Sequence, residues 1–323
     1  MNAQLDMFGG RKDPPVARSK RPQVGRPSGG TALTHAEMAA ALEASGGYRI
    51  LRKLKRPEPA GPAPGFGRIG VIVDTETTGL RKAEDEVIEI GAVAFQYSDD
   101  GRIGNVLEIF GAFQEPSKAI PPEITKLTGI TDEMVAGKSI PMAELERFLA
   151  PADLIIAHNA AFDRPFCERL STIFADKAWC CSNSEVDWRE RGFEGTKLGY
   201  LLNQSGLFHD GHRAVDDCFA LLEILEAGPS DRSTAFSELL VASRRDQIRL
   251  WAEHSPFDKK DILKARGYRW SSGEDQQPKA WWTEVPADLL DLELEYLATD
   301  IYGRRDITIT TKRLNAVTRF KIG

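Results

Sequence analysis

Apolar positions are distributed unevenly along this chain, and their spacing divides it into segments of different character. Residues 9–31, GGRKDPPVARSKRPQVGRPSGGT, mix glycine, proline and basic side chains with no apolar period, the composition of a flexible linker. At Thr34 the texture changes. Thr34 and Glu37 form a capping-box signature, and Met38, Leu42, Ile50, Leu51 and Leu54 follow, so a short helical hairpin broken at Gly46-Gly47 is predicted. A second proline- and glycine-rich stretch, PEPAGPAPGFG, reads as a linker that ends near Gly67.

From there the apolar runs shorten and carry β-branched residues. RIGVIVDTETTG reads as a buried strand, and EVIEIGAVAFQY and NVLEIFGAFQEP as two more with turn signals between them. PPEITKLTGI and PMAELERFLA have helical spacing, LIIAHN is a strand, FDRPFCERL a helix and AWCCS a last short strand. Helices around GTKLGYLLNQSG and AVDDCFALLEILEA close the region. The order β-β-β-α-β-α-β-α predicts an α/β domain: a mixed sheet flanked by helices. Beyond about residue 230, IRLWAEHS, FDKKDILKARG, YRWSS, AWWTEVP, DLLDLELEYLATDIY and DITITTKRL alternate as β-α-β-β-α-β, a split β-α-β order. The expected organisation is a basic arm (1–33), a helical segment with a Pro/Gly linker (34–67), an α/β domain (68–229) and a small α+β C-terminal domain (230–323).

Composition bounds this picture. With 323 residues, 41% of them hydrophobic, there is material for one core of about 150 to 200 residues and a second module. No run approaches the roughly 18 to 20 apolar residues that cross a bilayer, and MNAQLDMFGG lacks the apolar centre of a signal peptide, so a cytoplasmic location is expected. The four cysteines, Cys167, Cys180, Cys181 and Cys218, show no C-x-x-C spacing and read as reduced, packed thiols. The net charge of −6 is split along the chain. Residues 1–68 hold twelve Lys and Arg against five Asp and Glu, which leaves thirty against forty-three in the remainder. A basic arm therefore precedes an acidic body, and carboxylates that hold divalent cations turn such a body into a phosphate-attracting one.

The candidate chemistry lies in three segments. Asp74 and Glu76 stand two apart at the end of a strand, and period two places both side chains on one face, where they repel unless a cation or proton lies between them. His158-Asn159-Ala160-Ala161-Phe162-Asp163 follows the strand LIIA and opens a helix, so Asp163 falls near the carboxyl end of a strand, where α/β domains build sites. In His212-Arg213-Ala214-Val215-Asp216-Asp217, His212 occupies a glycine-flanked loop and Asp217 the first turns of a helix, which suits a base beside a metal ligand. His209, His158, His35 and His254 lack a comparable set of partners in sequence and read as structural or surface residues.

The ordered set DTETTG, HNAAFD and HRAVDD resembles the DnaQ-like exonuclease family, with its RNase H-like fold, in the subtype with four acidic residues and a histidine. The resemblance covers about Ile69 to Ala227. It implies a 3′→5′ exonuclease, in DNA repair or replication proofreading, that releases 5′-mononucleotides. Asp74, Glu76, Asp163 and Asp217 would hold two Mg²⁺ or Mn²⁺ ions, and His212 would take the proton from the attacking water. Thr77 resembles the position that meets the terminal nucleotide, Phe162 is placed either to stack on a base or to fill the core, and Asn159 would order the motif loop.

The start of the chain, Gln4-Leu5-Asp6-Met7-Phe8, looks like the pentapeptide by which bacterial replication and repair proteins bind the β sliding clamp, with Met7 where leucine is usual. Leu5, Met7 and Phe8 would enter apolar pockets, and the linker behind them would set the reach to a DNA end. In the C-terminal region Trp251, Tyr268, Trp270, Trp281 and Trp282 lie among Lys264, Arg266, Arg269 and Lys279, a composition that serves either single-strand stacking or a small core. The expected substrate is DNA with single-stranded 3′ ends. Two alternatives stand beside it: an RNA-trimming exoribonuclease using the same five residues, and a non-catalytic adaptor between clamp and single strands. No polymerase-docking segment is recognisable at the C-terminus, so a free-standing enzyme is expected.

Overall fold

The computed structural model describes residues 33–227, 233–273 and 277–321. Gln4–Phe8 and the basic arm up to residue 32 lie outside the described residues. The chain divides into two compact units, residues 1–50 and 51–323. In the first, α1 (His35–Ala44) begins with the capping box: Glu37 N–H donates to Thr34 Oγ1 at 3.3 Å, and Thr34 N–H donates to the Glu37 carboxylate at 2.7 Å.

The predicted second arm of a helical hairpin is not a helix. Arg52–Lys53 forms a short strand, β1, paired in parallel with β7 (Leu207–Phe208). The Pro/Gly segment after it is also tied down. Ala60 N–H donates to Val106 O at 2.8 Å, Ala63 N–H to Gln96 Oε1 at 2.7 Å, and Asn105 Nδ2 to Gly61 O at 2.8 Å. Prolines remove donors that an edge segment would otherwise leave exposed, and the donors that remain find partners on the neighbouring sheet.

The main sheet has the order β4-β3-β2-β5-β6, with β2 (Arg68–Thr77), β3 (Val87–Tyr97) and β4 (Ile103–Phe113) antiparallel, and β5 (Leu154–Ala157) and β6 (Trp179–Cys181) parallel to β2. Period two sorts β2 into two cores. Ile72 joins the layer of α8 (Leu198–Gln204), α9 (Ala214–Glu226) and α10 (Ala235–Ser243), while Val71 and Val73 join that of α4 (Met142–Leu149) and α5 (Ala160–Leu170). β3 is buried along its whole length, as a central strand covered on both faces should be. Short helices α2 (Pro122–Thr128), α3 (Asp132–Val135), α6 (Ile173–Asp176) and α7 (Ser182–Glu185) complete the connections. The four cysteines are buried free thiols.

The stretch beyond residue 230 is shared between two cores. Phe236 of α10 packs edge-on against Phe95 and Tyr97, at 5.5 and 5.2 Å between ring centres, and so belongs to the main sheet. Then β8 (Gln247–Ala252), α11 (Lys260–Ala265), β9 (Arg269–Trp270), β10 (Trp281–Pro286), α12 (Leu290–Tyr296) and β11 (Thr310–Leu314) follow in the predicted β-α-β-β-α-β order. The sheet order β11-β8-β10-β9, with antiparallel neighbours, is that of a split β-α-β unit. One face, with Leu250, Ala252, Trp281 and Val285, packs on Leu263, Leu297 and Ile301. After β11 the chain returns to α5. Arg164, fully buried, donates to Arg319 O at 2.8 Å and Val317 O at 2.6 Å, and Arg319, 2% exposed, donates to Arg245 O at 2.7 Å and pairs with Glu185.

Among the described residues no helix is long and apolar enough to cross a membrane.

Candidate active site

The even-numbered residues of β2 face α9, so Asp74 and Glu76 continue the line of Ile72 beyond the apolar stretch. Pairing slips by one residue between Glu76 and Thr77, a bulge that ends the ladder where these carboxylates stand. Gly91 of β3 lies opposite Asp74. A Cβ there would sit 2.4 Å from Ala214 C and Val215 N, so its absence lets the start of α9 touch the sheet. That approach carries Asp217 to the pair: oxygens of Asp74, Glu76 and Asp217 lie within 4.8 Å of one another.

Asp163 arrives from the opposite layer. Its Oδ1 accepts from Thr75 N–H at 3.1 Å and Thr75 Oγ1 at 2.8 Å, and Thr75 is an odd-numbered residue that faces α5. The side chain is 3% exposed and lies outside the tight trio, yet its charge is felt by Asp74 and Glu76. Burial, then Asp163, Asp217, Glu76 and Glu89, pushes Asp74 well above the usual carboxylate range. Burial and the same neighbours lift Glu76 to about 8, against a lowering by Arg213. Burial lifts Asp163 to about 7 although the Thr75 bonds oppose it.

Partly buried oxygen donors that resist ionisation together fit hard divalent cations, which compensate the charge that protons otherwise neutralise. The stability consequence has a definite sign. Carboxylates whose folded values are raised make the chelated protein less stable as pH rises from about 4, the unfolded range, through about 7 and 8. In a differential scanning experiment with chelator the melting temperature should fall across that window. Excess Mg²⁺ should restore about 5 °C at pH 8 and much less at pH 5. Equal metal shifts at both pH values would rule out this origin.

The histidines are arranged differently from the sequence expectation. His209, set aside there as structural, has Nε2 2.8 Å from Asp217 Oδ1 and a side chain 8% exposed. It follows β7 directly, and the pairing of β7 with β1 aims it at α9, a tertiary cause with no trace in local spacing. Asp217 Oδ2 accepts from Arg213 N–H at 3.1 Å. His212 is exposed on the same loop with φ of 63°, a conformation in which histidine is enriched among non-glycine residues. His158 lies between Ser182 Oγ at 2.7 Å and Thr196 O at 2.6 Å.

Glu89, also unforeseen, is the Cα partner of Glu76 and is buried. It accepts from Arg213 Nη2 at 3.0 Å and from Ala214 N–H at 3.2 Å, so it anchors the start of α9. A charged residue on the inward face of EVIEIGAV was the available signal. Thr77 is buried with its hydroxyl donating to Gly79 O at 2.6 Å. Phe162 is half-buried against the α5-side core, 5.0 Å from the Phe166 ring, and Asn159 is exposed just ahead of α5.

Comparison with known proteins places this architecture in a family. Residues 71–225 match the family model described as Exonuclease. The DNA polymerase III subunit epsilon of Treponema pallidum is 34% identical over 163 residues, 47% of this chain and 72% of that protein. The chain belongs to this exonuclease family. Thermotoga petrophila DNA polymerase III PolC-type is 41% identical over 164 residues, and Bacillus subtilis 3'-5' exonuclease DinG is 33% identical over 178. These matches cover 46% and 48% of this chain, but the chain spans only 11% and 17% of those two proteins.

Proposed function

We propose that this protein is a 3′→5′ exonuclease that hydrolyses the terminal phosphodiester of DNA and releases 5′-mononucleotides. The observation that carries the proposal is the convergence of Asp74, Glu76 and Asp217, from two distant motifs, within 4.8 Å at the end of β2. Relatives named as a DNA polymerase III subunit and a 3′-5′ exonuclease support both the direction and DNA as substrate. Asp74, Glu76, Asp163 and Asp217 hold two Mg²⁺ or Mn²⁺ ions. When bound, the ions supply Lewis acidity toward the phosphate and the attacking water.

The remaining tasks fall to the chain itself. His212, exposed on its loop ahead of α9, accepts the proton of the attacking water. His209 holds the Asp217 carboxylate in place. Asn159 and Phe162 border the terminal nucleotide, and the backbone at Thr77 is fixed by its turn to receive it. Gln4–Phe8 tethers the enzyme to the β sliding clamp, which keeps the site near DNA ends in replication or repair.

The test is digestion of 5′-labelled single-stranded DNA and of RNA of the same sequence, with Mg²⁺ and with chelator. A ladder that shortens from the 3′ end of DNA and disappears with chelator is expected. A ladder on RNA alone would reassign the substrate. His212→Ala should lower kcat by about 10² to 10⁴ at saturating Mg²⁺, whereas His209→Ala should chiefly raise the Mg²⁺ requirement. If His209→Ala instead loses that factor at saturating Mg²⁺ and His212→Ala does not, the two histidines exchange roles.

A further inference from the structure

The four-stranded sheet buries one face on its helices and presents the other to the exonuclease core. On that second face Arg249, Trp282 and Glu284 stand on adjacent strands: Trp282 pairs with Trp251 on one side and Arg269 on the other, and Glu284 pairs with Arg249. The guanidinium carbons of Arg269 and Arg249 lie 4.0 and 4.6 Å from the centre of the Trp282 ring. This face lines a cleft of about 740 Å³ whose other wall includes Asn159 and Ala161, the residues that open the Asp163 helix. The cleft therefore adjoins the start of the helix that carries Asp163.

Its chemistry is that of a surface for a polyanion with flat bases. Four cationic side chains line it against two carboxylates. Both carboxylates are already paired, Glu284 with Arg249 at 2.6 Å and Glu185 with Arg319. Arg269 is exposed, with its guanidinium held against the Trp282 ring, so a phosphate can reach it. The C-terminal segment adds Phe320 and Lys321 to the lining. Phe320 has φ of 64°, a conformation that costs a bulky non-glycine residue on the order of 1 kcal/mol or more. The buried Arg319, bonded to Arg245 O and Ser243 O, over-determines the backbone and keeps Phe320 at the cleft.

We propose that this cleft binds the single-stranded DNA upstream of the nucleotide being removed, with bases stacked on the Arg249–Trp282–Arg269 ladder and phosphates on Arg269 and Lys321. The inference rests on the exonuclease function proposed above. Guanidinium planes and indole rings both accept bases without regard to sequence, which suits an enzyme that must pass every nucleotide in turn.

The experiment compares kcat/KM of the full chain on single-stranded DNA of three and of fifteen nucleotides with Mg²⁺, for the wild type, Trp282→Ala, Trp282→Phe and Arg269→Ala, each checked by thermal melting. The wild type should favour the longer substrate. Trp282→Ala and Arg269→Ala should each lower kcat/KM on it about tenfold, so that the length advantage collapses, and Trp282→Phe should keep most of it. Should Trp282→Ala fail to fold, Arg269→Ala and Trp282→Phe decide. A folded Arg269→Ala protein with the wild-type length ratio overturns the cleft assignment while leaving the nuclease intact. A wild type that degrades neither substrate overturns the exonuclease function and the cleft with it.

Discussion

Asp74→Asn is expected to lower hydrolysis about a thousandfold or more while raising the melting temperature of the chelated protein at pH 8. The two effects share one cause. Asp74 stands within a carboxylate cluster, and burial first, then the charges of Asp163, Asp217 and Glu76, hold it well above the usual carboxylate range. An amide of the same shape is neutral without the cost of keeping a carboxyl protonated at pH 8, and it donates to a neighbouring oxygen, so the metal-free fold gains. The same change removes a hard anionic ligand, and a lost metal contact at the phosphate is worth several kcal/mol of barrier, each 1.36 of which is tenfold in rate. Steady-state rates with Mg²⁺ and melting curves in chelator test the two limbs separately. Parallel losses in both would mean that Asp74 is a structural carboxylate, and that the cluster is not held against its own repulsion for function.

The part of this site legible in sequence was the part encoded by local period. Two carboxylates spaced by two on a strand share a face whatever the tertiary context, and Asp74 and Glu76 do so. A motif at a strand's carboxyl end and another at a helix start fixed the surroundings of Asp163 and Asp217 in the same way. What stayed hidden depends on which layer a helix joins and which strand a loop follows. Asp163 reaches the site from the face opposite Asp74, through Thr75, and spacing alone does not distinguish the two faces. His209 owes its contact with Asp217 to a two-residue strand, β7, whose partner β1 lies about 155 residues earlier in a stretch predicted to be helical. The tie from Arg164 to residues 317 and 319 was equally invisible, because an arginine inside an amphipathic helix ordinarily reads as solvated.

That tie bears on how the two sheets cooperate. Arg164 lies one residue after Asp163, and its guanidinium grips the segment that also delivers Phe320 and Lys321 to the cleft. The helix that places a metal-ligand candidate and the tail that borders the cleft are therefore parts of one buried hydrogen-bonded assembly. Arg319 extends it to the end of α10 and to Glu185. Arg319 Nε has no hydrogen-bond partner, but the other guanidinium nitrogens of both arginines are bonded, and breaking such buried bonds is costly, so the network holds its members in fixed relation.

Gly91→Ala should be as damaging to catalysis as the loss of a ligand, though the residue has no side chain to contribute. Its Cβ would meet Ala214 C and Val215 N at 2.4 Å and Ala214 O at 2.7 Å, all backbone atoms in the first turn of α9. No rotamer change relieves such a contact, so α9 must retreat from β3, and Asp217, three residues beyond Ala214, retreats with it. A displacement near 1 Å at a reacting centre costs about 10² in rate, and the overpacking itself about 1 to 3 kcal/mol of stability. Gly111→Ala is the matched control. Its Cβ would meet only Val215 Cγ2, at 2.8 Å, a methyl that can turn aside or be removed by a second substitution, Val215→Ala. Gly91→Ala should therefore lose at least about a hundredfold in kcat/KM and resist rescue by Val215→Ala, whereas Gly111→Ala should lose little and be rescued. Equal, rescuable losses at both positions would show that the helix yields as a whole, and that close contact at Gly91 does not set the position of Asp217.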